Sequence, residues 1–149
     1  MPRVPAPDGG GPPVRRGSSC CYVIVALNGR SDVDAVRAFA RDVADTLAAA
    51  HPDELTTAAR KQARGDRLYL DVQRNGYAQT AVAPYSVRAR PGAPVATPIR
   101  WEQLDDPATH AARWTVDTAL DQARTDPWGG GAPRPRALGP ARRRLDASR

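Results

Sequence analysis

The order of apolar and polar residues predicts one long helix and two buried strands. Residues 21–27 form a continuous apolar run, which is typical of a central strand. From Ser31 to Ala50, apolar residues recur at three- and four-residue spacing, which predicts an amphipathic helix with Ser31 as its N-cap. Its predicted buried face consists of Val33, Val36, Phe39, Ala40, Val43 and Leu47. Residues 68–72 form a second apolar, β-favouring run, and they predict another buried strand.

Shorter elements are predicted around these three. A short helix is expected within residues 55–63, another within 99–104 with Trp101 anchored in the core, and a last one over 114–123. The residues expected to point inward from that last helix are Trp114, Val116 and Leu120. Residues 1–16 and 129–149 are rich in Pro, Gly or Arg and are predicted to be unstructured. The sequence therefore predicts one ordered domain over residues 17–128, of the α/β class.

Composition limits the compartment and the kind of partner. The chain has 149 residues and a net charge of +6, which permits binding to nucleic acid. Because Lys61 is the single lysine, biased coding toward arginine also explains much of that charge. Cys20 and Cys21 are adjacent and lack the spacing of a metal site. No apolar run is long enough to span a membrane, and we expect a reducing, cytoplasmic protein.

The residues best suited to chemistry lie between positions 67 and 101. Asp71 is the single charge within the predicted strand, and a buried carboxylate needs a cation or an ion pair. Arg74 follows closely, and Arg88 and Arg90 come just before a predicted turn at residues 91–92. One acid and several arginines at strand ends suit a metal-bound polyanion such as a nucleoside triphosphate. The alternative is a surface hairpin whose acid and arginines form solvated ion pairs.

Two other groups of residues have simpler explanations. Asp32 and Asp34 form the D-x-D pattern of paired metal ligands, but they fall in the first turn of the predicted helix. There, capping and the helix dipole account for negative charge. His51 stands at a helix end and His110 in a polar loop, and both are expected to be surface histidines.

The stretch RLYLDVQRNGYAQTAVAPYSVRARPGAPV resembles the C-terminal motif region of the archaeo-eukaryotic primase superfamily. The strongest similarity is to the polymerase domain of bacterial ligase D, which acts in non-homologous end joining. The resemblance implies a mixed β-sheet packed by helices and metal-dependent nucleotidyl transfer using Mn or Mg. Asp71 matches the third metal-binding carboxylate of the family, and Arg88 matches the arginine that contacts the triphosphate. Arg74 occupies a position near the nucleotide that is often Gln.

A second family motif, resembling S-G-S-[KR]-G-x-H, corresponds to residues 16–22. Gly17 and Ser18 agree with it, which assigns Ser18 to phosphate binding. Ser19 replaces the basic residue of the motif, and Tyr22 replaces its histidine. Tyrosine can donate a hydrogen bond but carries no positive charge.

The resemblance covers residues 17–129 and only the C-terminal half of the family domain. The paired acids of the upstream strand motif have no counterpart before Arg15. The resemblance therefore implies a truncated polymerase domain that is inactive alone. Its implied ligands are DNA ends and nucleoside triphosphates. A missing N-terminal half or a ligase domain is the implied protein partner. Two alternatives remain: a catalytically dead remnant or accessory nucleic-acid-binding module, and an unrelated small α/β interaction protein.

Overall fold

The structure is a computed structural model that describes residues 21–130 and 134–148. These residues fall into two compact units. The first unit contains Ala26–Thr80 and residues 135–148, and the second contains residues 21–25, 81–130 and 134. Helices and a small parallel sheet are both present, which confirms the predicted α/β class. The N-terminal segment that was predicted to be unstructured, residues 1–16, lies outside the described residues.

The long predicted helix is present as α1, Val33–Ala50, in the first unit. Its N-cap is Asp32, one residue after the predicted Ser31, and the Asp32 Oδ1 accepts a hydrogen bond from the Ala35 N–H at 2.7 Å. This capping bond accounts for Asp32, the first acid of the D-x-D pattern. The helix ends at Ala50, and its C-cap His51 stands directly before Pro52, as the sequence predicts.

The predicted apolar face of α1 packs against the rest of the first unit. Ala44 is the buried residue of this helix, and five of the six predicted inward residues are half-buried. Val33, in the first turn, is 43% exposed, so the prediction is wrong at that position. Helix α1 contacts β1, Leu55–Thr56, which forms a two-stranded parallel sheet with β2, Leu68–Tyr69.

The sheet corrects two predictions. Residues 55 and 56 were expected to begin a helix, but Leu55 and Thr56 are 5% and 6% exposed and pair with β2. Helical structure in this segment is limited to a 3₁₀ turn at Lys61–Ala63. The predicted strand over 68–72 is shorter than expected, because its pairing with β1 ends when the Leu70 N–H donates to the Thr56 carbonyl at 2.9 Å.

Arg64 holds the loop between the two strands. Its Nε donates to the Ala58 carbonyl at 3.1 Å, and its Nη2 donates to the Ala59 carbonyl at 2.6 Å. The guanidinium also stacks 3.8 Å from the ring centre of Tyr69 in β2. Arg64 therefore stabilises the connection between β1 and β2.

The predicted central strand over residues 21–27 is wrong. Tyr22, Val23, Ile24 and Val25 are between 49% and 62% exposed, and within the described residues none of them pairs with a strand. Only Leu27, in the first unit, forms an isolated parallel bridge, with Arg136. An apolar run becomes a strand only where another strand supplies hydrogen-bonding partners for its backbone.

The predicted unstructured tail is also wrong over much of its length. Residues 138–146 form helix α3, Leu138–Asp146, which packs on α1. Arg142 forms an ion pair with Asp42 of α1 and lies 5.2 Å from the ring centre of Phe39. Composition alone did not predict this helix, because its stability comes from contacts with α1 rather than from its Gly and Pro content.

The second unit is organised around paired backbone segments and a short helix, α2, Ala119–Arg124. The Val95 N–H donates to the Trp114 carbonyl at 2.8 Å, and Pro94 and Thr115 form an antiparallel bridge. This pairing holds residues 114 and 115 in extended conformation, so the helix predicted over 114–123 begins only at Ala119.

The inward residues predicted for these segments are corrected accordingly. Val116 is 60% exposed, Leu120 is 59% exposed, and Trp101 is 63% exposed. Trp101 begins a 3₁₀ helix, Trp101–Asp105, and does not anchor it in the core. The buried residues of this unit are instead Pro94, Val95, Ala119 and Gln122.

An ion pair in the second unit gives it a predicted pH dependence. Arg113 Nη1 donates to Asp106 Oδ2 at 2.5 Å, and the Ala108 N–H donates to Oδ1 at 2.9 Å. The Arg113 bond, supported by the Ala108 bond, lowers the pKa of Asp106 below its ordinary value of 3.8. A lowered folded-state pKa stabilises the fold above pH 3.8, and this stabilisation is lost as the pH falls through the folded-state pKa.

We therefore expect the thermal midpoint of the second unit to fall when the pH is lowered below about 4, and Asp106→Asn to reduce the size of that fall. Tryptophan fluorescence can follow the transition, because Trp101, Trp114 and Trp128 all lie in this unit. Asp117→Asn, at an exposed position, is the matched control. An identical acid transition in Asp106→Asn and the wild type would contradict the assignment.

Candidate functional site

Asp71 lies at the surface of the first unit, two residues beyond the end of β2. Its Oδ1 accepts a hydrogen bond from the Gln73 N–H at 3.0 Å, which turns the chain into a 3₁₀ helix, Gln73–Asn75. Within the described part of the chain, no basic side chain lies within ion-pair distance of this carboxylate. The expectation of a carboxylate inside a buried strand is therefore wrong, because Asp71 lies in the loop that follows β2.

Arg74 shares this loop with Asp71. It is exposed, and it stands in the middle of the 3₁₀ helix. The next residue, Asn75, donates its Nδ2 hydrogen to the Val72 carbonyl at 3.1 Å and so fixes the turn. An acid and a guanidinium three residues apart are thus presented to solvent by one short loop.

Arg37 of α1 lies against the same loop and was not predicted from the sequence. Its Nη1 is 3.7 Å from the position that a Cβ on Gly76 would occupy. Its Nε is buried and has no hydrogen-bond partner among the described residues. The spacing could have indicated this position, because Arg37 is four residues after Val33 and three before Ala40. It therefore lies on the side of the helix that was assigned to the core.

Arg88 belongs to the second unit. It lies in a hairpin, between two turns that contain proline, one at residues 83–86 and one at residues 90–93. In the first turn, the Ser86 N–H donates to the Ala83 carbonyl at 3.1 Å, and Tyr85 has a φ of +63°. In the second turn, the Ala93 N–H donates to the Arg90 carbonyl at 2.9 Å, and Gly92 has a φ of +79°. Both have proline at the second position and a positive φ at the third, as in type II turns.

The backbone between these turns is paired with the returning chain. The Arg88 N–H donates to the Pro94 carbonyl at 2.8 Å, and Val87 and Val95 form an antiparallel bridge. The turn predicted at residues 91–92 is therefore confirmed, and Arg88 stands on a backbone fixed on both sides. Rigid backbone limits the directions in which a half-buried guanidinium can point.

The hairpin borders a shallow, open depression of about 530 Å³. Its lining residues are Ala81, Val82, Ala83, Ser86, Val87, Arg88, Ala89 and Arg90. Two of these residues are arginines and none is acidic, so an anion is the ligand that this surface attracts.

The four residues predicted for the site are distributed unevenly. Asp71 and Arg74 lie together on one loop of the first unit, Arg88 lies in the second unit, and Ser18 lies outside the described residues. Across residues 21–130 and 134–148, no three His, Cys, Asp or Glu side chains are grouped so that they could hold a metal ion. In the same residues, no helix is long and apolar enough to cross a membrane.

Comparison with known proteins agrees with the motif in residues 67–95. The model of the family described as "LigD, primase-polymerase domain" matches residues 12–128. The chain is 33% identical over 116 residues to the multifunctional non-homologous end joining protein LigD of Pseudomonas aeruginosa, covering 75% of this chain and 14% of that protein. It is 33% identical over 117 residues to the protein of the same name from Mycolicibacterium smegmatis, covering 78% of this chain and 15% of that protein.

A more distant match covers less of the chain. The bifunctional non-homologous end joining protein LigD of Bacillus subtilis is 31% identical over 88 residues, which is 59% of this chain and 14% of that protein. The chain thus spans about 14–15% of the length of these curated relatives. Because the family match extends over most of its residues, the chain belongs to the LigD primase-polymerase domain family.

Proposed function

We propose that this chain takes part in DNA repair by non-homologous end joining, as part of a polymerase domain that transfers nucleotides to DNA ends. The family match over residues 12–128 is the observation on which this proposal depends. The relatives' names supply the pathway, and the nucleotidyl transfer is what the resemblance in residues 67–95 implies. The ligands proposed are a nucleoside triphosphate and a DNA end.

Arg88 is the residue proposed to bind the triphosphate. Its planar guanidinium can form two parallel hydrogen bonds to phosphate oxygens, and a fixed backbone lowers the entropy lost on binding. The adjoining depression is open enough to admit a polyanion and contains no acidic lining residue. Arg74 is proposed to assist from the Asp71 loop, and Ser18 from the second motif.

Asp71 is proposed as the family's third carboxylate, but the described residues do not fit a pair of divalent ions. Its loop supplies one carboxylate, and one of its two oxygens already accepts the Gln73 N–H. Mg²⁺ requires nearly octahedral oxygen ligands, and two ions held together need several carboxylates. We therefore propose that the chain does not catalyse transfer alone, and that another polypeptide segment with paired acids completes the metal site.

A primer-extension assay tests this proposal directly. The chain is incubated with a labelled nucleotide, a DNA duplex with a 3′ overhang and Mn²⁺, alone and with a separately produced segment that carries the paired acids of a relative. We expect no extension by the chain alone, extension with the added segment, and at least a 100-fold loss of that extension in Asp71→Ala, as for removal of a group needed in the transition state. Asp53→Ala, at an exposed loop position, is the matched control.

Each other outcome has a definite meaning. Extension with the added segment that survives Asp71→Ala would overturn the role of Asp71. Extension by the chain alone would overturn the proposed inactivity, and its loss in Asp71→Ala would still support the carboxylate's role. Absence of extension in every mixture would favour the second candidate function.

That second candidate is an accessory nucleic-acid-binding module without catalysis. The single carboxylate of the Asp71 loop and the net charge of +6 favour it. Such a module would bind DNA with no dependence on Asp71, whereas the first proposal makes Asp71 indispensable for transfer. A binding assay run beside the extension assay separates the two.

A further inference from the structure

Helix α3 has one face on the first unit and one face in solvent. Leu138, Ala141 and Leu145 are half-buried and recur at spacings of three and four residues, which places them on one side of the helix. Arg143 and Arg144 are exposed and fall on the other side. The helix thus exposes two arginines that are adjacent in the sequence.

Two contacts keep that orientation. Arg142 forms an ion pair with Asp42 of α1, at a site where both side chains are about two-thirds buried, being 32% and 31% exposed. Before the helix, the Arg136 N–H donates to the Ala26 carbonyl at 3.0 Å, and the Asn28 N–H donates to the Arg136 carbonyl at 3.1 Å. The segment is therefore attached at two points, and the exposed arginines belong to a docked helix.

The exposed face of α3 is positively charged, and few acidic side chains offset the charge of its arginines. Residues 135–148 contain four arginines and one acid, Asp146. Among the described residues, no carboxylate lies within ion-pair distance of Arg143 or Arg144. The Arg143 Nη1 lies back over the first turn, 3.6 Å from the position of a Cβ on Gly139.

We propose that the exposed face of α3, formed by Arg143 and Arg144 with Arg136 before the helix, binds the phosphate backbone of duplex DNA without sequence preference. Residues 134–148 lie beyond the range 12–128 that the family model matches, so the family match does not cover this surface. Adjacent guanidinium groups on a helix can contact neighbouring phosphates, and each contact releases condensed counterions.

The chemistry of this face favours DNA over a membrane surface. A helix that lies on a membrane has large apolar residues exposed beside its basic ones, so that it can insert into the lipid. On α3 the apolar residues Leu138 and Leu145 are half-buried, and the exposed positions are Gly139, Pro140, Arg143, Arg144 and Asp146. This surface can therefore supply charge to phosphates but no apolar anchor.

Fluorescence anisotropy with a labelled blunt DNA duplex, repeated over a series of salt concentrations, tests the proposal. We expect Arg143→Gln/Arg144→Gln to weaken binding on the order of tenfold at 0.1 M salt and to reduce the slope of log K against log salt by about 2. Arg60→Gln/Lys61→Gln removes the same charge from exposed positions of the same unit and is the matched control. Arg143→Lys/Arg144→Lys keeps the charge and should bind within about twofold of wild type.

The proposal is overturned if the α3 and control variants weaken binding equally, because only net charge would then matter. It is also overturned if DNA binding is unchanged in the α3 variant, and loss of binding to vesicles of phosphatidylcholine and phosphatidylserine in that variant would then indicate a membrane partner. Circular dichroism of each variant verifies that helix content is retained. The test does not depend on the proposed nucleotidyl transfer, because it measures DNA affinity with no nucleotide present.

Discussion

Replacing Arg88 with alanine is expected to lower the affinity of the chain for a nucleoside triphosphate on the order of 10- to 100-fold. The physical reason is the loss of charge-assisted hydrogen bonds to phosphate, which contribute about 1.5–3 kcal/mol. The hairpin should remain folded, because its bonds at Arg88 are made by the backbone N–H to Pro94 and not by the side chain. Titration of a fluorescent ATP analogue into each variant measures the change.

Arg90→Ala is the matched control for Arg88→Ala. Arg90 lines the same depression, is exposed, and begins the second proline turn, so its removal changes the net charge by the same amount. We expect a loss of about threefold or less for this variant, as for an exposed charge. Arg88→Lys should recover only part of the affinity, because an ammonium group lacks the planar fork. Equal losses for Arg88→Ala and Arg90→Ala would contradict a specific role for Arg88.

The parts of the fold that the sequence predicted well are those encoded by neighbouring residues. The turn after Arg88 follows from a proline with fixed φ and a glycine that tolerates a φ of +79°. Helix α1 follows from the spacing of its apolar residues and from the stop at His51 and Pro52. In both cases, the physical cause lies within a few residues of the effect.

The parts that were wrong depend on contacts between distant residues. Leu55 forms a strand because residue 68 pairs with it, and the helix at 138–146 is docked by an ion pair between Arg142 and Asp42, which are 100 residues apart. Residues 22–25 have the composition of a strand but no pairing partner within the described chain. A local sequence pattern does not reveal these distant partners. It therefore predicted a strand at residues 22–25 that is not formed and no helix at residues 138–146, where one is present.

The candidate site shows the same division. Asp71 was predicted because it is the single acid in an apolar run, yet its exposure depends on where the pairing of β2 with β1 ends. The burial of the Arg37 Nε was not predicted. In the sequence, an arginine that is buried at the edge of a helix face cannot be distinguished from one whose long side chain reaches solvent. Motif and resemblance identified residue types, and tertiary contacts decided their surroundings.

A large loss of stability is expected when Gln122 is replaced with leucine. Gln122 is 6% exposed, and its Nε2 donates to the Pro98 carbonyl at 3.2 Å and to Gln103 Oε1 at 2.9 Å. Gln103 Nε2 donates in return to Gln122 Oε1 at 3.1 Å. Leucine would leave the Gln103 amide and the Pro98 carbonyl without these partners, which lowers the free energy of unfolding of the second unit by about 2–4 kcal/mol.

Urea unfolding followed by tryptophan fluorescence measures this change, because Trp101, Trp114 and Trp128 all lie in the second unit. Leu120→Ala, at a position of α2 that is 59% exposed, should change the free energy of unfolding by about 0.5 kcal/mol or less. The double variant Gln103→Leu/Gln122→Leu should regain about 1 kcal/mol relative to additivity, because neither glutamine side-chain amide is then left without its partner. Additive losses in this cycle would mean that the two glutamines act independently, and the amide pair would not be what holds α2 beside residues 98–103.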